Sequence, residues 1–207
     1  MGHSHVQVVC LLDFEKAYDR VQHNWLFACL EAAGLPKVFQ AFLRTTLQGA
    51  TIKIMANGTL SQPLPVTSGV RQGDPLSPLL FNLALEPMLL ALEKEHIKAQ
   101  AHADDTALAL NSVSAAKKAL QIITCYEAES GMLLNRNKSV ALASAGNIIC
   151  TAAGFRACPN GDRYLGVHLA PGGDISILPG TWEALAAKVS RLTKMPISLW
   201  GRMTLLR

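Results

Sequence analysis

The sequence predicts an α+β fold in which helices back a sheet. Three observations carry this expectation. Residues 6–12 (VQVVCLL) form a near-continuous apolar run that suits a buried strand. Residues 97–103 and 106–111 read as short strands with only Asp104 and Asp105 between them. Long helical stretches bounded by Gly and Pro lie between such runs. In chain order, the first strand ends at Asp13 and a helical stretch follows to about Ala33, closed by Gly34 and Pro36. A second helix runs to about Leu47. Residues 51–55 and 62–67 flank Asn57-Gly58, a strong hairpin signal. A long helix starts near Pro75 and runs to about Glu95, with Pro87 expected to kink it. Residues 114–130 are helical and end at Gly131. Residues 140–143 and 164–169 read as strands, Pro171-Gly172-Gly173 breaks the chain, and residues 181–207 are helical around Pro196.

Composition narrows the class. Of 207 residues, 50% are apolar and 16% are charged, so a packed core is expected and disorder is not. A net charge of +4 is compatible with a nucleic-acid partner without pointing to one. The five cysteines are scattered, with no C-x-x-C, so reduced thiols in an intracellular protein are expected rather than a zinc site or a disulfide framework. No secretory signal is visible, because Asp13 interrupts the N-terminal apolar run. The longest apolar stretch, residues 76–92, contains Pro78, Asn82, Glu86 and Pro87, which suits a buried helix and not a membrane span.

The chemistry-bearing residues are carboxylates. Asp13 ends an apolar strand, and Asp104 and Asp105 sit at the tip of a strand pair flanked by small residues (Ala99, Ala101, Ala103, Ala107, Ala109). Adjacent like charges repel unless a cation sits nearby. Aspartates are also ordinary turn formers, and taken alone this pair is read either way. Oxygen ligands from separate strand ends suit Mg²⁺, which takes one or two carboxylates together with substrate phosphates.

Five stretches, in order, then carry a resemblance. LDFEKAYDRV (12–21), SGVRQGDPLSPLLFNLALEP (68–87), AHADD (101–105), GMLLNRNKS (131–139) and YLGVHL (164–169) resemble the successive motifs of reverse transcriptases, above all those of non-LTR (LINE-type) retrotransposons. The resemblance implies a polymerase palm at residues 1–170, with an antiparallel sheet backed by helices. It also implies a linker and the start of a helical thumb at 171–207, and fingers missing upstream. The implied activity is RNA-directed DNA polymerisation on an RNA template and DNA primer with dNTP substrates, using two Mg²⁺ ions, with Mn²⁺ as an alternative. Asp13, Asp104 and Asp105, with the backbone carbonyl of Phe14, would hold the metals. Tyr18 would exclude the nucleotide 2′-OH, the group that separates RNA from DNA; without the resemblance it would read as a core aromatic. Arg71, Gln72 and Gly73 would lie under the nucleotide, where Gly69 and Gly73 permit close backbone approach. Lys138 is either a proton donor to pyrophosphate or a solvated lysine. His102, Tyr164, Leu165 and Gly166 would hold the primer. The basic residues Lys188, Arg191, Lys194, Arg202 and Arg207 fit a helix that tracks a phosphate backbone. Asp74 is read as a helix N-cap, Asp19 as a cap of the following helix or a site residue, and Lys16 as solvated or functional. No membrane and no obligate protein partner is readable, and a retrotransposon origin makes the nucleus a candidate compartment.

Two features depart from the family pattern. His102 stands where an aromatic, usually tyrosine, precedes Ala-Asp-Asp, and imidazole can charge near pH 6.5, as a phenol cannot. The link between the second and third motifs, residues 93–97, is also short. The missing fingers suggest a fragment with uncovered apolar surface and poor solubility. Two alternatives remain: a catalytically inactive nucleic-acid-binding remnant, and an RNA-dependent RNA polymerase. Tyr18 and Ala103 weigh against the latter, which usually carries an acidic sugar-selecting residue and Gly-Asp-Asp.

Overall fold

Residues 8–171 and 175–177 are described by the computed structural model of the chain. The first apolar run is β1 (Val8–Leu12). A one-turn helix, α1 (Ala17–Arg20), is entered through Lys16 in the left-handed region at φ 45°. α2 (His23–Ala32) and α3 (Lys37–Gln48) come next. Four two-residue strands follow: β2 (Thr51–Ile52), β3 (Met55–Ala56), β4 (Thr59–Leu60) and β5 (Leu64–Pro65). The long helix α4 (Ser77–Lys94) leads to β6 (Lys98–His102) and β7 (Asp105–Leu110). α5 (Val113–Ser130) begins where Ser112 Oγ accepts from Ala115 N at 3.1 Å and ends at Gly131 with φ 75°. The remainder is β8 (Val140–Leu142), α6 (Ile148–Ala153), β9 (Arg156–Ala157), β10 (Asp162–Tyr164), β11 (Val167–Leu169) and β12 (Ile175–Ile177).

The main sheet has the order β6-β7-β1-β8-β9 and is antiparallel except for the β8–β9 pair. β1 is its central strand. Val8, Cys10 and Leu12 face the principal core, which includes Leu26, Phe81 and Ile123 from α2, α4 and α5. Leu11 faces the other way, with Val140 and Leu142, onto a second cluster joined by Tyr164 and Leu169. β1 is therefore covered on both faces near its middle, which explains why its sequence is apolar throughout instead of alternating. β7 has one covered face, and it alternates: Thr106, Leu108 and Leu110 are buried.

Pro87 lies inside α4 and supplies no N–H to the carbonyl one turn back. Beside that gap the Ala84 carbonyl accepts from Trp25 Nε1 at 2.9 Å and from the Tyr126 hydroxyl at 3.2 Å, joining α2 and α5 to α4. All five cysteines are free thiols, and burial, reinforced by Cys150, pushes the Cys10 thiol up to about 12. Among the described residues no helix is long and apolar enough to cross a membrane. Apolar side chains are exposed on α3 and the small hairpins, among them Val38, Phe42, Ile54 and Met55.

Several expectations are corrected. The single helix expected to reach Ala33 breaks at Val21–Gln22, because Val21 O accepts from Gly69 N and Gln22 N donates to Ser130 O. Asn57 and Gly58, at φ 49° and 78°, do form the predicted tight turn. However, the strands around it split into two pairs, β3–β4 and β2–β5, where Ser61 Oγ takes the Ile54 N–H. Residues 164–169 are not one strand: Leu165 and Gly166, at φ 48° and 85°, turn the chain between β10 and β11. α6 was not foreseen; Asn147 caps its start and Gly154, at φ 71°, closes it. The helix expected at 181–207 lies outside the described residues, as do its basic side chains.

Candidate active site

The register of the central strands brings the carboxylates together. In the β1–β7 ladder Val8 faces Leu110 and Leu12 faces Thr106, so one step further along places Asp13 opposite Asp105. In the β6–β7 ladder His102 faces Asp105. Ala103, at φ 54°, and Asp104 form the turn between them. Asp104 and Asp105 are exposed and Asp13 is half-buried. Partial burial pushes the Asp105 carboxyl above its ordinary range; Asp104 and then Asp13 add to the shift, while His102 opposes it. Asp104 and Asp13 thus both act electrostatically on the Asp105 carboxylate.

That mutual repulsion and the all-oxygen donor set fit a hard divalent cation. Among the described residues no group of three His, Cys, Asp or Glu side chains converges closely enough to enclose one. A site of this kind is open, and Mg²⁺ ordinarily completes its shell with water and substrate phosphates. Phe14 forms an isolated antiparallel bridge with Leu134, in which the two hydrogen bonds run from Asn135 N to Asp13 O (2.7 Å) and from Glu15 N to Leu133 O (2.8 Å). In such a pair Phe14's own carbonyl is not spent on Leu134 and turns to the opposite side, the side along which β1 meets β7. The Leu134 bridge therefore leaves that carbonyl unused.

Tyr18, on α1, stacks flat on Phe81 of α4, with centroids 4.6 Å apart and planes at 6°. It lines a cavity of about 420 Å³ with Asn82, Glu86, Ala101 and His102. Tyr18 thus packs against a core ring while also lining the cavity. Arg71, Gln72 and Gly73 are exposed. Arg71 and Gln72 line a different cleft, of about 660 Å³, with Asp19, Ile52 and Ser68. Gly69, at φ 88°, has its flank closed by the chain's own backbone, with a Cβ there meeting Asp19 O at 2.8 Å, so its role is internal packing and not approach to a ligand. Gly73 has nothing within 4 Å of that position. His23 Nε2 bonds the Gly69 carbonyl at 2.9 Å, and Val70 N donates to Tyr18 O at 2.8 Å. The glycine loop and the segment after Asp13 are thereby welded together.

The Tyr164 hydroxyl donates over 3.4 Å to the Asp105 carbonyl, docking the β10–β11 hairpin on the carboxylate hairpin. Leu165 and Gly166 are exposed at its tip. Lys138 is exposed, and its side chain makes no ion pair among the described residues. Asp74 is not the N-cap of α4, which is Leu76 without a side-chain cap; its Oδ1 accepts from Leu76 N at 2.8 Å in the turn that precedes the helix. Asp19 does not cap α2, whose N-terminus has no side-chain cap; its carbonyl instead accepts from Ser68 Oγ at 3.0 Å. The sequence reading missed Asn135 and Ser139, which hold the Asp13 backbone, and Phe81. All lie within motif stretches, where polar loop residues and helix aromatics carry no signal of their partners.

The chain is 29% identical to the Retrovirus-related Pol polyprotein from the type-2 retrotransposable element R2DM of Drosophila melanogaster, an alignment covering 100% of this chain and 22% of that protein. It is 26% identical to the RNA-directed DNA polymerase from the mobile element jockey of Drosophila funebris, over 77% of this chain and 19% of that protein. The chain thus spans about a fifth of the length of these relatives. In fold it is similar to the apo telomerase of Candida tropicalis truncated from its C-terminal domain, with a TM-score of 0.65 and 16% identity over 83% of this chain and 35% of that one. It is also similar to telomerase of the same organism in complex with a TWJ fragment of telomeric RNA, with a TM-score of 0.64 and 13% identity over 89% of this chain and 33% of that one. The pattern of the reverse transcriptase (RNA-dependent DNA polymerase) family matches residues 2–169, and the chain belongs to that family, alongside the polymerases of non-LTR retrotransposons.

Proposed function

We propose that residues 1–170 are the palm of an RNA-directed DNA polymerase that adds dNTPs to a primer 3′-OH by metal-assisted phosphoryl transfer. The observation that carries the proposal is the placement of Asp13 one register step past β1, opposite Asp105, with Asp104 in the adjoining turn. Asp13, Asp104 and the Phe14 carbonyl would hold two divalent cations, with Asp105 assisting, and the bound ions would supply positive charge for the attacking hydroxyl and the leaving phosphate. Tyr18, held by Phe81, would close the nucleotide site against a 2′-OH, which favours dNTP over rNTP. Arg71 and Gln72, beside Gly73, would support the nucleotide from the adjoining cleft. His102 and Tyr164, both beside Asp105, would hold the primer together with Leu165 and Gly166, and Lys138 would donate a proton to departing pyrophosphate. The RNA-bound telomerase of similar fold supports an RNA template as partner.

The test is extension of a DNA primer annealed to RNA, with Mg²⁺ and with Mn²⁺. The natural chain is expected to extend with dNTPs in preference to rNTPs, and Asp104→Ala to lose at least a hundredfold in rate, on the order of what one electrostatic stabiliser contributes. Extension that persists in Asp104→Ala refutes the metal role. Faster rNTP incorporation would favour an RNA polymerase, and nucleic-acid binding without extension a non-catalytic remnant.

A further inference from the structure

The peptide of Asp13 sits in a closed ring of three hydrogen bonds. Asp13 N donates to Ser139 Oγ at 3.1 Å. Ser139 N donates to Asn135 O at 2.8 Å, and Asn135 N donates to Asp13 O at 2.7 Å. Both backbone polar groups of Asp13 therefore go to one short loop, which leaves only the carboxylate free. Ser139 is fully buried, at 0% exposure. The regular β1–β8 pairing stops at Leu11 and Val140, so without the Ser139 hydroxyl the Asp13 N–H would have no ladder partner. Lys138 lies between the two loop members of the ring, and its own N–H is held by the Asn135 carbonyl at 3.1 Å and by Asn135 Oδ1 at 3.2 Å. The loop is in turn tied to α5: Glu127 Oε1 accepts from Leu134 N at 2.7 Å and Oε2 pairs with Arg136 at 2.9 Å.

We infer that Ser139 is a positioning residue whose hydroxyl fixes the Asp13 backbone and couples it to the loop carrying Lys138. Resting on the metal-dependent polymerase reading above, this adds a mechanical link between the carboxylate that would bind metal and the lysine that would serve the leaving group. A shift of the 135–139 loop cannot occur without moving Asp13 or breaking one of the three bonds. A threonine keeps the β-hydroxyl and can close the ring; an alanine cannot.

The test compares the natural chain with Ser139→Ala and Ser139→Thr, using amide hydrogen exchange and direct Mn²⁺ binding followed by electron paramagnetic resonance, neither of which requires turnover. In Ser139→Ala, exchange should accelerate about five- to tenfold, the scale of one net hydrogen bond, in residues 13–15 and 133–139 together, with the rest of the sheet unchanged. Mn²⁺ affinity should fall by a similar factor with little change in Tm, and Ser139→Thr should recover both. Unchanged exchange at residues 13–15 in Ser139→Ala overturns the inference. Loss of protection across the whole sheet also overturns it, since that marks a merely structural serine. A natural chain that binds no Mn²⁺ sinks the metal reading instead, and the exchange pattern then decides the coupling by itself.

Discussion

Replacing Gly69 with alanine tests the internal weld on which the site depends. Gly69 has φ 88°, where an L-residue costs about 1–2 kcal/mol. The added Cβ would lie 2.8 Å from Asp19 O, 2.9 Å from Asp19 Cα and 3.0 Å from Tyr18 O. All three are backbone atoms, so no rotamer change relieves the overlap and the two segments must separate. Separation weakens the bonds from Gly69 N to Val21 O and from Val70 N to Tyr18 O, both 2.8 Å, each contributing about 1 kcal/mol net. The expected loss is about 3–4 kcal/mol, or a Tm drop of about 6–16 °C for a chain of this size. Gly73 is the matched control: it has φ 89° with nothing within 4 Å, so Gly73→Ala should lose only the conformational part, about 1–2 kcal/mol. Thermal and urea denaturation of both variants, followed by circular dichroism, measures the difference. Equal losses would show that the contact between the glycine loop and the Tyr18–Asp19 backbone contributes nothing.

Two further outcomes follow from the site's polar groups. The Thr106 hydroxyl is buried at 0% exposure with no hydrogen-bond partner among the described residues, so Thr106→Val, of the same shape, should raise stability by about 1 kcal/mol in urea denaturation; a comparable loss would mean that the hydroxyl has a partner in solution. Because the Asp105 carboxyl titrates above its ordinary 3.8, the folded chain keeps that proton to higher pH than the unfolded chain, and its ionised form costs stability above the raised pKa. In metal-free buffer Asp105→Asn should therefore raise Tm at pH 7, by only about 1–3 °C because the group is exposed and screened. The gain should vanish below about pH 3, where both folded and unfolded carboxyls are largely protonated. A gain of the same size at that pH would rule out the burial and repulsion of an ionised carboxylate as its cause.

Much of the architecture was legible because local chemistry decides it. The apolar run before Asp13, the small-residue hairpin at Asp104–Asp105, the Asn57-Gly58 turn and the Gly131 stop all follow from side-chain periodicity or from backbone conformations that few residues adopt. The five ordered motifs likewise identified the family. The break of the first helix at Val21–Gln22 was not legible, because backbone groups from the Gly69 loop and from Ser130 claim those residues, and both lie far away in sequence. The turn at Leu165–Gly166 was concealed by leucine in the left-handed conformation that the two-residue hairpin between β10 and β11 requires.

The sequence by itself determined that Asp13, Asp104 and Asp105 end or connect strands, since hydrophobic pattern and turn chemistry act over a few residues. Only the tertiary structure decided that Asp13 falls opposite Asp105, that Tyr18 lies flat on Phe81, and that Ser139 and Asn135 hold the Asp13 backbone. These are pairings across 63 to 126 positions of chain. Strand register and the satisfaction of buried backbone groups select them, and neither is a property of any short stretch of residues.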